Sequence, residues 1–486
     1  MRYALGPRTL RLALIAVLVL EVAAIVYGVT APVGRLSHVG PIKAAQQGDF
    51  VAFYCAGRVT REREDPYVDA PLRRCEANVY RTGASSVLPA PVPPYDLPLF
   101  AAISTIEPAR ALFLWLVTLG LAALAAALLF EPILGLPAIL VAGLFLLGAG
   151  RDDYLLGQPP PLVLLALAAA AALLQRGRFR AAAIAASAAL IEPHLGVPAF
   201  ASMFVFVPRC RPTLAICAAT LAALSLGAVG LGGCLEYATR VLPAQVLAEV
   251  PNAFQYSTTF VLAILHVPDQ IASRIGSLWY VAMTVLGIAI AGRLAERYSD
   301  AAFIPLLPPM VAVLGGSYIH EQHLVALVPG AFLLVRHTRA NPLVPVAAAI
   351  ASLAWEPAYL GRPMYTLVTL LLVGVALAAA TAEVTRTVRI ASGLALALGY
   401  FGLTTIDHRL EDRVIFRAAA PATYAAEAPW ARGYPEYPWG LEVRTEVVHR
   451  DLTLGHALSK LPTWFALIAL ISVAANAAYR RSLSPR

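Results

Sequence analysis

The chain has 486 residues, of which 59% are hydrophobic and only 14% charged, and its formal net charge is +8. Soluble domains carry about 25% charged residues, so a chain this poor in charge cannot cover a water-facing surface. The basic excess is nearly all arginine, with lysine only at Lys43 and Lys460, and much of it sits in short stretches between hydrophobic runs. That pattern sets membrane topology; no basic stripe interleaved with exposed aromatics is present, so no nucleic-acid partner is expected.

Apolar stretches long enough to cross a roughly 30 Å hydrocarbon core recur from end to end, which predicts an all-α polytopic membrane protein. Leu10–Val29 is the first span. It lacks a small-residue cleavage site, so it reads as an anchor rather than a signal peptide, and Arg2, Arg8 and Arg11 before it place the N-terminus in the cytoplasm.

Residues 30–110 form the first outer loop. It carries Asp49, Asp65, Asp69 and the Pro-rich run Pro91-Val92-Pro93-Pro94, and short helices lying on the membrane surface are expected within it. Cys55 and Cys75 share this loop, where an oxidising compartment allows a disulfide. Arg58, Arg61, Arg63 and Arg151 are outer-side cations within reach of a phosphate, with solvated charge as the alternative reading for each. Asp65-Pro66-Tyr67 reads equally as a turn, which Asp-Pro favours, or as part of a pocket.

The core, residues 111–403, threads helices between arginine clusters at Arg176-Gly177-Arg178-Phe179-Arg180, Arg209/Arg211, Arg293/Arg297, Arg336/Arg339 and Arg386/Arg389. Spans are predicted near 111–130, 133–147, 161–174, 181–191, 195–207, 213–231, 278–291, 301–314, 324–335, 343–354, 367–380 and 390–401. With Leu10–Val29 and a last span near 464–478 this makes about fourteen crossings, or twelve if one hairpin is re-entrant. The stretch 181–207 has arginines at both ends and Ile191-Glu192-Pro193-His194 in its middle. It is read as two short passes meeting at a polar apex that faces a cavity. Residues 232–269 are a semi-polar outer connector with room for an amphipathic helix. Residues 404–463 are a polar outer cap with Trp430, Tyr434, Tyr437 and Trp439, and residues 464–486 hold the last span and a basic cytoplasmic tail.

No P-loop, dinucleotide fingerprint, His-Glu-x-x-His helix or Gly-x-Ser-x-Gly element appears, so no cofactor is expected. His320-Glu321-Gln322-His323 spaces two histidines to face one way on a helix. With no third ligand nearby in sequence, they read as hydrogen-bonding or phosphate-contacting groups rather than as a metal site, with interfacial anchoring as the bland alternative.

Several of these residues share an order with a known family. Gly48-Asp49-Phe50 a short way after the first span, then Asp65-Pro66-Tyr67, Gly157-Gln158 before a helix, the Arg176-Gly177-Arg178 turn, a short helix ending in a charged residue plus Pro193, and Tyr318-x-His320-x-x-His323-Leu324 resemble the C-type (GT-C) membrane glycosyltransferases of family 87. The resemblance covers roughly Leu10 to Arg336. Glu192 stands where relatives often carry lysine, and Pro159-Pro160 where they carry asparagine or a small polar residue, so an anionic group must here be held by arginine or histidine.

The resemblance implies a GT-C-like fold of about 12–14 spans and transfer of a sugar, usually mannose, from a polyprenyl-phosphate donor. The partners are then that donor, a lipid or glycan acceptor and the membrane lipids. The active site is implied to face the periplasmic or extracytoplasmic side of the inner (plasma) membrane. Asp49 becomes the general base of an inverting displacement, which needs one carboxylate and cations for the departing phosphate. Asp65, Tyr67, Gln158, Glu192, His194, His320, His323, Arg58 and Arg151 become the substrate-binding candidates. Two rival classes share the hydropathy. A lipid-linked sugar flippase or transporter calls for charges in mid-span, and an O-antigen polymerase or ligase calls for a large late outer loop, as 404–463 is.

Overall fold

The computed structural model describes residues 48–80, 90–146, 150–250, 255–338, 341, 343–353, 374 and 454–479. The expected first span, the spans near 367–380 and 390–401 and the cap up to residue 453 lie outside these.

The described chain is all-α, with no strand and a single isolated bridge between Gln255 and His320. Four helical stretches are long and apolar enough to cross a membrane: Pro108–Gly135, Pro208–Leu247, Asp269–Tyr298 and Lys460–Tyr479. Shorter apolar helices at Pro160–Gln175, Phe179–Ile191, Pro193–Phe206 and Phe303–Ala312 pack between them. Their shared core is built of alanine, leucine and phenylalanine, including Phe130, Phe145, Phe303 and Phe332. The many alanines let helix backbones approach closely where dispersion alone drives association.

The described part of the segment expected as the first outer loop is largely helical. Gly48–Arg61, Asp69–Tyr80 and Leu97–Ile103 form a cluster of their own around Phe50, Cys55, Tyr67 and Phe100, closed by the Cys55–Cys75 disulfide. This cluster reaches the main bundle through Trp115 and Tyr154, both of which pack within it.

Two boundaries differ from the sequence reading. The helix expected to stop near residue 231 runs on, with a kink at Gly230 (φ 70°), as a helical stretch to Leu247. After the kink, Tyr237 and Val241 pack against the cluster around Phe50 and carry the helix on. The helix expected over 278–291 starts nine residues earlier, at Asp269, because Pro268 sets its N-terminal boundary and residues 269–277 carry no further proline.

The bundle has two chemically distinct ends. Gln175, Asp300 and His337 are joined by hydrogen bonds, Arg336 reaches the carbonyls of Pro132 and Ile133, and Arg297 reaches that of Ala477. Helices from this basic end lead to the Gln158, Glu192, Arg274 and His320 positions at the other.

Candidate functional site

One cavity of about 1300 Å³ occupies that other end. Asp49, Gln158, Glu192, His194, His320 and His323, which lie up to 274 residues apart in sequence, all line it. Drug-sized ligands occupy roughly 300–1,000 Å³, so the space suits something larger or elongated.

Asp49 stands in the first turn of Gly48–Arg61, where a helix N-terminus favours a carboxylate. Gln158 Nε2 donates to its Oδ2 at 2.5 Å. Burial raises the Asp49 carboxyl to about 6, against the lowering effects of the Gln158 hydrogen bond and the His320 charge. The Gly157-Gln158 pair makes this contact possible. Gly157 has φ +77°, and a Cβ there would come within 2.7 Å of Phe50 Cβ. Only glycine lets the two backbones close this far while Trp115 Nε1 donates to the Gly157 carbonyl at 2.7 Å.

Glu192 sits in the break between two short helices, with extended backbone at φ −125°, ψ 92°, and Pro193 opens the next helix. This is the polar apex. His194 Nδ1 donates to Glu192 Oε1 at 2.8 Å, and His323 Nε2 faces the same oxygen at 3.8 Å. Burial works to raise the Glu192 carboxyl, yet the His194 hydrogen bond and the neighbouring histidines hold it below the usual range, so it is an anion. His323 is pushed down to about 3 by burial and by His194 and His320, against Glu192, so it is neutral.

His320 precedes the Glu321–Ala326 turn, and its Nε2 donates to Glu249 Oε2 at 2.8 Å. Burial disfavours its charge, but Glu249 first, then Asp49 and Glu192, raise it above the ordinary histidine value. Gln245 Nε2 secures the other Glu249 oxygen at 2.8 Å. The Tyr256 N–H bond to the Ile319 carbonyl at 2.6 Å ties the segment after Glu249 to the histidine turn.

Glu192, His194 and His323 each bring a potential ligand atom within 4.8 Å of the others, a trio that sequence spacing did not announce. As arranged, it does not fit a cation. His323 Nδ1 accepts the His320 backbone N–H at 3.1 Å, so the neutral ring carries its proton on Nε2, the nitrogen facing Glu192. A metal ligand must present a lone pair there, and supplying one would leave an imidazolate. The trio is a carboxylate cradled by two imidazoles.

Other predicted residues fall elsewhere. Asp65 Oδ1 accepts the Tyr67 N–H at 2.9 Å, and the Tyr67 hydroxyl donates to the Val92 carbonyl at 2.9 Å, so Asp65-Pro66-Tyr67 is a turn that braces the Pro-rich strip. Neither residue lines the cavity; Tyr67 touches it only through Tyr237, 5.3 Å away ring to ring. Arg58 pairs with Glu62 at 2.9 Å on the exposed side of its helix. Arg151 heads the Arg151–Leu156 helix, and its side chain lies outside the described residues.

Sequence reasoning missed Glu249 and Arg274, which also line the cavity. The one signal for Glu249 was a carboxylate in an otherwise apolar stretch; Arg274 had none beyond its charge. Tyr95, Tyr237 and Tyr280 also face the cavity while their hydroxyls donate to the carbonyls of Leu190, Pro91 and His194, holding its walls.

Among the described residues, fold and site together define an all-α protein with four membrane-length apolar helices and a carboxylate–histidine cavity at one end of the bundle. No family model, curated protein or solved structure matches the chain.

Proposed function

We propose that this chain is a GT-C-like polytopic membrane glycosyltransferase of the family 87 type. It moves a sugar from a polyprenyl-phosphate donor to a lipid or glycan acceptor, with inversion, and Asp49 is the general base. The observation that carries this reading is Asp49 itself: a carboxylate raised to about 6, bonded to Gln158 and open to a cavity large enough for a lipid-linked sugar. A base poised near working pH removes the acceptor hydroxyl's proton most effectively. Phosphate is a good leaving group, so no carboxylic acid opposite Asp49 is required, unlike the paired acids of a glycosidase.

The site's remaining charges suit that task. The Asp49 carboxylate attracts the acceptor's proton, and His320, hydrogen-bonded to Glu249, lines the same cavity as Asp49. The Cys55–Cys75 disulfide sits in the same helix cluster as Asp49, and oxidising compartments are where such bonds persist. With the arginine clusters at the opposite end of the bundle, this supports a plasma-membrane protein whose site faces away from the cytoplasm.

The test is mass spectrometry of lipids co-purified with the full-length protein in mild detergent. Polyprenyl phosphate or its glycosyl ester is expected. A complement limited to bulk phospholipid counts against the donor class.

A further inference from the structure

The histidines expected to hold a donor phosphate are already engaged. His320 Nε2 bonds Glu249, and its Nδ1 meets Gln322 Nε2 at 3.3 Å. His323 Nδ1 accepts a backbone N–H while its Nε2 faces Glu192. His194 commits its Nδ1 to Glu192. Asp49, Glu192 and Glu249 moreover make the cavity interior acidic. An anion cannot be held deep inside without meeting like charge.

Arg274 offers the alternative. It lines the cavity and is exposed, and among the described residues it makes no hydrogen bond or ion pair. It stands on the Asp269–Tyr298 helix, and one and two turns further along the same face come Leu278 and Val281. Both line the cavity and are nonetheless 71% and 58% exposed. A side chain that does both marks where a cavity opens sideways. Leu242, Val246 and Leu247 line it from the Leu242–Glu249 helix. Over about 10 Å of helix the wall therefore passes from a guanidinium to hydrocarbon, as an amphiphile with an anionic head requires.

We propose that Arg274 holds the phosphate of an isoprenoid-phosphate substrate whose chain leaves the cavity sideways over Leu278 and Val281. This rests on the glycosyltransferase reading and moves the phosphate contact from the histidines to the cavity rim. The sugar then points inward to Asp49, and the planar guanidinium forks onto the phosphate oxygens.

The test uses full-length protein in phosphatidylcholine nanodiscs, titrated with farnesyl phosphate, farnesol and inorganic phosphate. Arg274→Ala is expected to weaken farnesyl phosphate by on the order of 10–100-fold, the range for a lost charge-assisted hydrogen bond, and to leave farnesol unchanged. Arg274→Lys should recover part of the loss. Leu278→Ser should weaken farnesyl phosphate and farnesol alike. Unchanged farnesyl phosphate affinity in Arg274→Ala overturns the proposal, and loss in His320→Ala alone returns the phosphate to the histidine. Inorganic phosphate competing as well as farnesyl phosphate reassigns Arg274 to a free anion. Asp49→Asn keeps the two readings separate: binding intact with transfer lost upholds the glycosyltransferase even if Arg274 fails. Farnesol bound as tightly as farnesyl phosphate by the wild type overturns both.

Discussion

Asp49 lies under two opposed influences. The helix N-terminus and Gln158 stabilise its charge, and burial opposes it more strongly, leaving the carboxyl at about 6. A base must be ionised to act, so transfer is expected to fall with a midpoint near pH 6 as the medium is acidified, and a flat rate between pH 5 and 7.5 would contradict this role. Asp96 is a second buried carboxyl with a strongly raised value, pushed to about 9 by burial and then by the Glu192 charge. Its Oδ2 is buried with no partner among the described residues. Its folded value exceeds its unfolded one, so between about pH 4 and 9 the folded state binds the extra proton and stability falls as pH rises. Asp96→Asn should therefore raise Tm at pH 8 more than at pH 5; an equal shift at both would show that its titration is not what costs stability. Gln158, Glu192, His194, His320 and His323 were legible because polar residues beside or between apolar spans are costly and so informative. Glu249 and Arg274 were not: Glu249 falls in the semi-polar segment 232–269, where a charged residue fits an amphipathic surface helix, and Arg274 lies between that segment and the span expected over 278–291. For Asp65 and Tyr67 the sequence leaves turn and pocket equal, because Asp-Pro makes turns for local reasons that no motif order can distinguish from a pocket.

At the level of elements, charge placement carried most of the information. Arginines at both ends of 181–207 required a reversal, and the reversal falls at Glu192, with Pro193 unable to continue the preceding helix. Helix ends were less legible, because the run past residue 231 depends on packing of Tyr237 and Val241 against the outer cluster rather than on local signals. Two elements position the base and can be tested. Gly157→Ala forces a Cβ against Phe50 and a strained positive φ, costing roughly 1–3 kcal/mol for the strain alone. It should lower both Tm and transfer by separating Gln158 from Asp49; wild-type behaviour in both would mean the contact is not needed. The Cys55–Cys75 bond closes 20 residues, worth about 3 kcal/mol by loop closure. Cys55→Ser with Cys75→Ser should lower Tm in calorimetry, whereas an unchanged Tm would show that packing around Phe50 suffices to hold the cluster.

Across the whole molecule, the Asp49–Glu192–His320 cavity lies at one end of the bundle and Arg178, Arg209, Arg297 and Arg336 at the other, joined by helices of membrane length. If the arginine end is cytoplasmic, a cysteine replacing exposed Glu62, in a background lacking Cys210, Cys217 and Cys234, should react with an impermeant thiol reagent in intact cells. One replacing Arg178 should not, and the reverse pattern would invert the orientation. The central claim is that Asp49 is the base that moves a sugar from an isoprenoid phosphate. Its most direct test is transfer from a synthetic short-chain polyprenyl-phosphate sugar to membrane acceptors, comparing purified, folded wild type with Asp49→Asn. The substitution keeps shape and hydrogen bonding but removes basicity, so binding should persist while transfer falls by roughly 10²–10⁴-fold. Turnover near the wild-type rate in the Asp49→Asn protein would contradict the account and move the base to another carboxylate of the cavity.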